Sequence, residues 1–316
     1  MRGLVFDGEL KLARDLPDPA LTEGEALIRV TKAGICNTDL ELVAGMYGYQ
    51  GILGHEFVGV VEEGPTEFVG QRIVGEISII CGQCDVCLRG IPSQCRNRDT
   101  LGIRRHPGVF ADYARLPARN LHRVPDRIAD EAAVFVEPLA AALNVTELVH
   151  VSPRDRVVVI GAGKLGLLIC QALKLTGAEV VAVVRRERSA VLLEKWGVPA
   201  VTAEMLPDQR AQVVVEVTGT AEGLSEALRM VEPRGTVVLK STYNGLPQVD
   251  MTQVAVREIR LVGSRCGPFD AALRLLAAGV VDVESMIDAR YGLDEGVAAM
   301  AHAAQPGALK VLLEMG

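Results

Sequence analysis

RVVVIGAGKLG, residues 156–166, sets an unbroken apolar strand against three glycines, Gly161, Gly163 and Gly166. Apolar residues without alternation suit a strand buried on both faces. The glycines permit a tight turn and the close approach of a pyrophosphate, which then rests on the N-terminus of the following helix, LGLLICQAL. This glycine spacing is weak evidence alone and strong between an apolar strand and an apolar-faced helix. Gly161, Gly163, Lys164, Leu165 and Gly166 are therefore candidate cofactor contacts. Cys170, inside the helix, reads as a small buried hydrophobe.

The pattern extends outward from this stretch. AEVVAVV, AQVVVEVTG, GTVVLKS and IRLVGS read as further buried strands, with RSAVLLEKWG and LSEALRMV as intervening helices. Strands alternating with helices predict an α/β domain with a doubly wound parallel sheet. Thr218, in the VTG that ends the AQVVVEVTG strand, joins the candidate cofactor contacts. Before about Asp126 the texture differs. EALIRVTKAGIC and HEFVGVVEEG alternate as half-buried strands do, and glycines punctuate often. The chain is expected to divide into 1–138, 139–265 and a C-terminal return, 266–316.

The chain has 316 residues, 49% of them hydrophobic, and a net charge of −7. It has material for about two domains. The acidic balance argues against a nucleic-acid binder or an anionic-membrane binder. MRGLVFDGELKLARDLPDP lacks the apolar core of a signal peptide. A cytoplasmic protein is expected, and clustered thiols in that compartment more often hold metal than form disulfides.

Such a cluster exists. Cys81, Cys84, Cys87 and Cys95 fall in CGQCDVCLRGIPSQC, with two, two and seven residues between them. Four thiolates at this spacing can close a tetrahedron around Zn²⁺ and leave no position for substrate. The site reads as structural. Free thiols and an iron–sulfur cluster are the alternatives. Cys266 has no assigned role.

Three other stretches carry isolated signals: GICNTDLEL with Cys36, Thr38, Asp39 and Glu41, GILGHEFVGVV with His55 and Glu56, and VFVEPLAAALN with Glu137. Singly, each fits core packing, a surface pair or a helix-dipole carboxylate. Together, and in order with the cysteine loop and VVVIGAGKLG, they resemble the zinc-dependent medium-chain dehydrogenase/reductase family of alcohol, sorbitol, threonine and glucose dehydrogenases. The resemblance covers nearly the whole chain. It implies a GroES-like β-rich catalytic domain joined to a Rossmann doubly wound parallel-sheet domain. It implies two zinc ions per chain, the catalytic one on Cys36, His55 and Glu137 with an open position. Glu56 is then a neighbouring or exchanging ligand, and Asp39 fixes the His55 tautomer. The spacing from Gly59 to Gly64 is one residue tighter than the family's usual pattern, and the chain is shorter than most relatives. Shortened loops around the substrate pocket are the expected consequence.

The cofactor type rests on the end of the second strand. An NAD enzyme carries Asp or Glu there, about 20 residues after the glycines. Here the strand runs into VVRRERS, so Arg185 and Arg186, with Arg188 close by, could grip a 2′-phosphate instead. NADP(H) is the expected preference over NAD(H). Lys310, in GALKVLL, aligns with a family position that touches cofactor phosphate. Thr38 resembles the family's hydroxyl relay, and Glu41 stands where many relatives continue it with histidine. Tyr47 and Tyr49, between two of the expected ligands, fit either pocket lining or loop packing. The expected reaction is reversible hydride transfer between a nicotinamide and a secondary alcohol, polyol or sugar. A primary alcohol or aldehyde reductase on the same scaffold and a non-catalytic dinucleotide-binding sensor are the alternatives. Relatives imply a homo-dimer or homo-tetramer.

Overall fold

A computed structural model describes residues 1–243 and 245–316. The chain forms two compact units, one of residues 1–137 and 269–316, the other of residues 138–268.

The first unit is built around the strand Glu25–Gly34. Its alternation turns Ala26, Ile28 and Val30 into the core, the period expected of a strand with one buried face. It pairs antiparallel with Glu56–Glu63, Tyr113–Pro117 and the last strand, Lys310–Glu314. The register matters more than the core. Gly34 lies opposite both Glu56 and Leu312. The end of the central strand is thus brought beside the start of Glu56–Glu63 and the start of Lys310–Glu314. A small sheet of Ser78–Ile79, Asp99–Leu101 and Arg105–His106 flanks the cysteine loop.

The second unit holds a six-stranded parallel sheet. Its order is Ala200–Val201, Glu179–Val183, Arg156–Ile160, Ala211–Glu216, Val231–Leu239, Arg260–Gly263. The first strand in sequence stands third in space. The chain winds outward to one side, then crosses back to the other, which makes a doubly wound α/β sheet with a switch point between Arg156–Ile160 and Ala211–Glu216. Val158, Val181, Val214 and Val237 pack with Leu224 and Leu228 of the helix Ala221–Met230. Cys170 is fully buried in the helix Lys164–Lys174, where burial pushes its thiol up to about 12. Among the described residues no helix is long and apolar enough to cross a membrane.

Candidate metal centres and dinucleotide crevice

The four loop cysteines converge. Cys84 Sγ lies 3.5 Å from Cys87 Sγ and 3.9 Å from Cys95 Sγ, and Cys95 Sγ lies 3.5 Å from Cys81 Sγ. Zinc–sulfur bonds of about 2.3 Å in a tetrahedron put sulfurs about 3.8 Å apart, so the donor set fits a closed zinc site. Backbone amides aim at the sulfurs. The Cys81 amide donates to Cys95 Sγ at 3.4 Å, and the Arg96 and Cys87 amides pull the Cys84 thiol down to about 6.

The second donor set forms where the three strand ends meet. Cys36, His55 and Glu56 offer ligand atoms within 4.8 Å of one another. Asp39 organises them. It sits fully buried in the first turn of the helix Asn37–Val43. Its Oδ2 accepts the Cys36 amide at 2.8 Å and its Oδ1 accepts the Gly54 amide at 3.2 Å. The same Oδ1 lies 3.3 Å from His55 Nδ1. One carboxylate thereby fixes the loop before each ligand and faces the imidazole, as an outer-shell partner should. Burial opposes a charge on His55, but Asp39 and Cys36 outweigh it and raise its pKa well above the ordinary imidazole value.

Glu137, expected as the third ligand, lies half-buried in the first turn of the helix Val136–Leu148 and outside this tightest group. Glu56 is the carboxylate within it. Lys310 is expected among the cofactor contacts. It is 2% exposed in the first unit, and its ammonium donates to the Glu56 carboxylate. Burial opposes its charge, but Glu56 and Cys36, with a smaller contribution from Glu137, hold its pKa above the usual ammonium value. Gly34 makes room for this pair. A Cβ there would stand 2.7 Å from Glu56 Oε2 and 3.1 Å from Lys310 Cδ. Sequence reading missed Gly34, because its need appears only when the three strands are paired.

Thr38 Oγ1 lies 3.8 Å from Cys36 Sγ. Thr38 and Glu41 are three residues apart on one helix and so share a face. Tyr49 is buried, and its hydroxyl donates to the Ile52 carbonyl at 2.7 Å, which is loop packing. Tyr47 is 68% exposed.

In the second unit the glycine loop divides its tasks as the motif requires. Gly161 has φ +107°, and a Cβ would lie 2.9 Å from Thr218 Cγ2. A Cβ on Gly166 would lie 1.9 Å from the Gly161 carbonyl oxygen, so only glycine lets helix and loop close up. Around Gly163 a Cβ meets nothing within 4 Å. That open side is where a pyrophosphate would approach the N-terminus of Lys164–Lys174. Ser189, which sequence reading passed over, donates to the Ala162 carbonyl at 2.7 Å and ties the loop to the helix Glu187–Lys195. The strand Glu179–Val183 ends without an acid, and Arg185 and Arg186 follow it exposed.

Comparison with known proteins agrees with both halves. The alcohol dehydrogenase GroES-like domain family matches residues 22–126, and the zinc-binding dehydrogenase family matches residues 165–278. The chain is 29% identical to D-arabitol-phosphate dehydrogenase of Enterococcus avium over 95% of this chain and 92% of that one. A zinc-binding dehydrogenase of Sinorhizobium meliloti 1021 bound to NADP superposes with a TM-score of 0.92 at 29% identity, covering 99% of each chain. The RspB dehydrogenase of Escherichia coli CFT073 complexed with NADH gives a TM-score of 0.90 at 26% identity, covering 100% of this chain and 99% of that one.

Proposed function

The chain belongs to the zinc-binding medium-chain dehydrogenase family, and we propose that it reversibly oxidises a secondary hydroxyl of a polyol, sugar or related alcohol with NADP(H) as hydride partner. The observation that carries this reading is the second donor set. A closed four-cysteine site leaves no ligand position free, whereas Cys36, His55 and one carboxylate leave a fourth position open. Zinc held by this set would supply Lewis acidity toward a hydroxyl or carbonyl oxygen, and a bound nicotinamide would supply the hydride acceptor or donor.

The chain's own residues do the rest. Asp39 orients His55 and both ligand loops. Glu56 or Glu137 supplies the carboxylate ligand. Glu56 belongs to the tightest group, while its pairing with Lys310 leaves Glu137 as the competitor. Thr38 takes the proton leaving the substrate hydroxyl, and Glu41, on the same helical face, passes it toward solvent. The exposed Arg185 and Arg186, with no acid at the strand end, support a 2′-phosphate over a free ribose hydroxyl. Relatives that act on D-arabitol phosphate, sorbitol and erythritol support a polyol-type substrate.

The test is a turnover panel of polyols, polyol phosphates, aldoses and simple secondary alcohols with NAD⁺ and NADP⁺, run beside a zinc assay. Chelator-sensitive turnover preferring NADP⁺ is expected. A preference for NAD⁺ would remove the arginine assignment alone. Turnover that survives Cys36→Ala would remove the zinc mechanism.

A further inference from the structure

The strand Ala211–Glu216 ends on a carboxylate that is 0% exposed. A buried carboxylate is costly unless its oxygens are hydrogen-bonded, and Glu216 has four donors. Its Oε1 accepts the Thr218 amide at 2.6 Å, the Thr218 hydroxyl at 2.5 Å and the Gly219 amide at 3.3 Å. Its Oε2 accepts the Tyr243 phenol at 2.5 Å.

These donors come from two loops, each following a strand of the sheet. The first, 217–220, is braced further. Thr218 Oγ1 accepts the Thr220 amide at 3.1 Å, and Thr220 Oγ1 caps the helix Ala221–Met230 by accepting the Gly223 amide at 3.1 Å. The second loop carries Tyr243 and lies against the first. A Cβ on Gly219 would stand 3.1 Å from the Thr242 carbonyl oxygen. The opposite side of the first loop meets the glycine motif, since a Cβ on Gly161 would stand 3.0 Å from the Val217 carbonyl. Glu216 therefore holds in place a wall that faces the glycine loop across the switch point.

A doubly wound sheet binds a dinucleotide as two mononucleotide halves, one on each side of that point. Arg185 and Arg186 follow the strand Glu179–Val183 on one side. Glu216 and Tyr243 stand on the other, at the carboxyl ends of Ala211–Glu216 and Val231–Leu239. We infer that Glu216 and Tyr243 are a positioning pair for the nicotinamide half of the cofactor. Glu216 shapes the 217–220 loop, and the Tyr243 hydroxyl pins the second loop to it. The inference rests on the dinucleotide reading of this unit and is independent of the 2′-phosphate assignment.

The test compares Tyr243→Phe and Glu216→Gln with the natural zinc-loaded chain. Dissociation constants are measured for NADPH and NADH by nucleotide fluorescence, and for the adenosine fragments 2′,5′-ADP and 5′-ADP by calorimetry. Tyr243→Phe removes one hydroxyl from a half-buried side chain, so the fold should persist. It is expected to weaken both dinucleotides by about fivefold or more and to leave the fragments as in the natural chain. Glu216→Gln should shift in the same direction. Unchanged dinucleotide affinity in Tyr243→Phe, or a parallel loss for the fragments, would overturn the inference and leave the pair as packing. A natural chain that binds neither NADPH nor NADH would remove the dinucleotide reading itself, and the inference with it.

Discussion

Lys310 and Glu56 form an ion pair in which neither side chain is more than 2% exposed, although 254 residues separate them in sequence. The pair sits where Cys36 and Glu137 also act on the ammonium. The ammonium balances the Glu56 carboxylate beside the donor group, a task that bound zinc would share.

Lys310→Met should therefore destabilise the two forms unequally. Removing one partner of a buried pair typically costs about 3–5 kcal/mol, because the other charge is stranded. The chelated protein should lose stability on that scale, and the zinc-loaded protein clearly less. Thermal unfolding with and without zinc reads the difference. Equal losses in both forms would mean that the ammonium does not balance the donors.

The two metal centres should separate by mutation. Cys36→Ser and Cys95→Ser should each retain about one zinc per chain. Cys95→Ser should unfold at markedly lower temperature, since a structural zinc contributes about 10 kcal/mol or more to the fold it closes. Cys36→Ser should keep its melting temperature and its cofactor affinity and lose turnover. Zinc content with calorimetry checks both. A Cys95→Ser protein as stable as the natural chain would remove the structural role.

Gly166 and Gly163 predict opposite phenotypes from one substitution. Gly166→Ala puts a Cβ where the Gly161 carbonyl oxygen stands 1.9 Å away, so helix and loop must part at a cost of about 1–3 kcal/mol or more. Gly163 has ordinary extended backbone, φ −87° and ψ −164°, and open space around it. Gly163→Ala should leave stability within about 0.5 kcal/mol while weakening NADPH and NADH by about tenfold. Unfolding curves and cofactor titrations separate the two. Normal cofactor binding by Gly163→Ala would place the pyrophosphate elsewhere.

What the sequence disclosed and what it hid divide along a physical line. The four-cysteine loop and the Gly161–Gly166 turn are local, so spacing alone carries their chemistry. The buried runs such as Arg156–Ile160 predict the parallel sheet for the same reason. Pairings made by strand register were not legible. Nothing near GALKVLL points to Glu56, and Lys310 reaches it only because Leu312 and Glu56 both lie opposite Gly34. The same register puts Glu56, ahead of Glu137, in the tightest donor group. Glu216 read as one residue of an apolar strand, and only the folding of two loops onto it reveals its four donors.

His122 carries the pH prediction. Its Nδ1 lies 2.9 Å from Asp270 Oδ1 and its Nε2 lies 2.9 Å from Glu76 Oε1, while its ring stacks on Phe269. Only the doubly protonated ring can donate to both carboxylates. Burial opposes that charge, but Glu76 and Asp270 outweigh it and raise the pKa. The sign follows from linkage. A raised folded pKa gives stability that is full below the unfolded value of about 6.5 and is lost as pH rises through the folded value. His122→Gln should thus cost most in acid, about 0.5–1 kcal/mol near pH 6 because both carboxylates are largely exposed to screening solvent, and less as pH rises. Urea unfolding of both proteins at rising pH gives the answer. A gap that stays constant with pH would mean the imidazole is neutral and the bridge to the helix Phe269–Ala278 is packing alone.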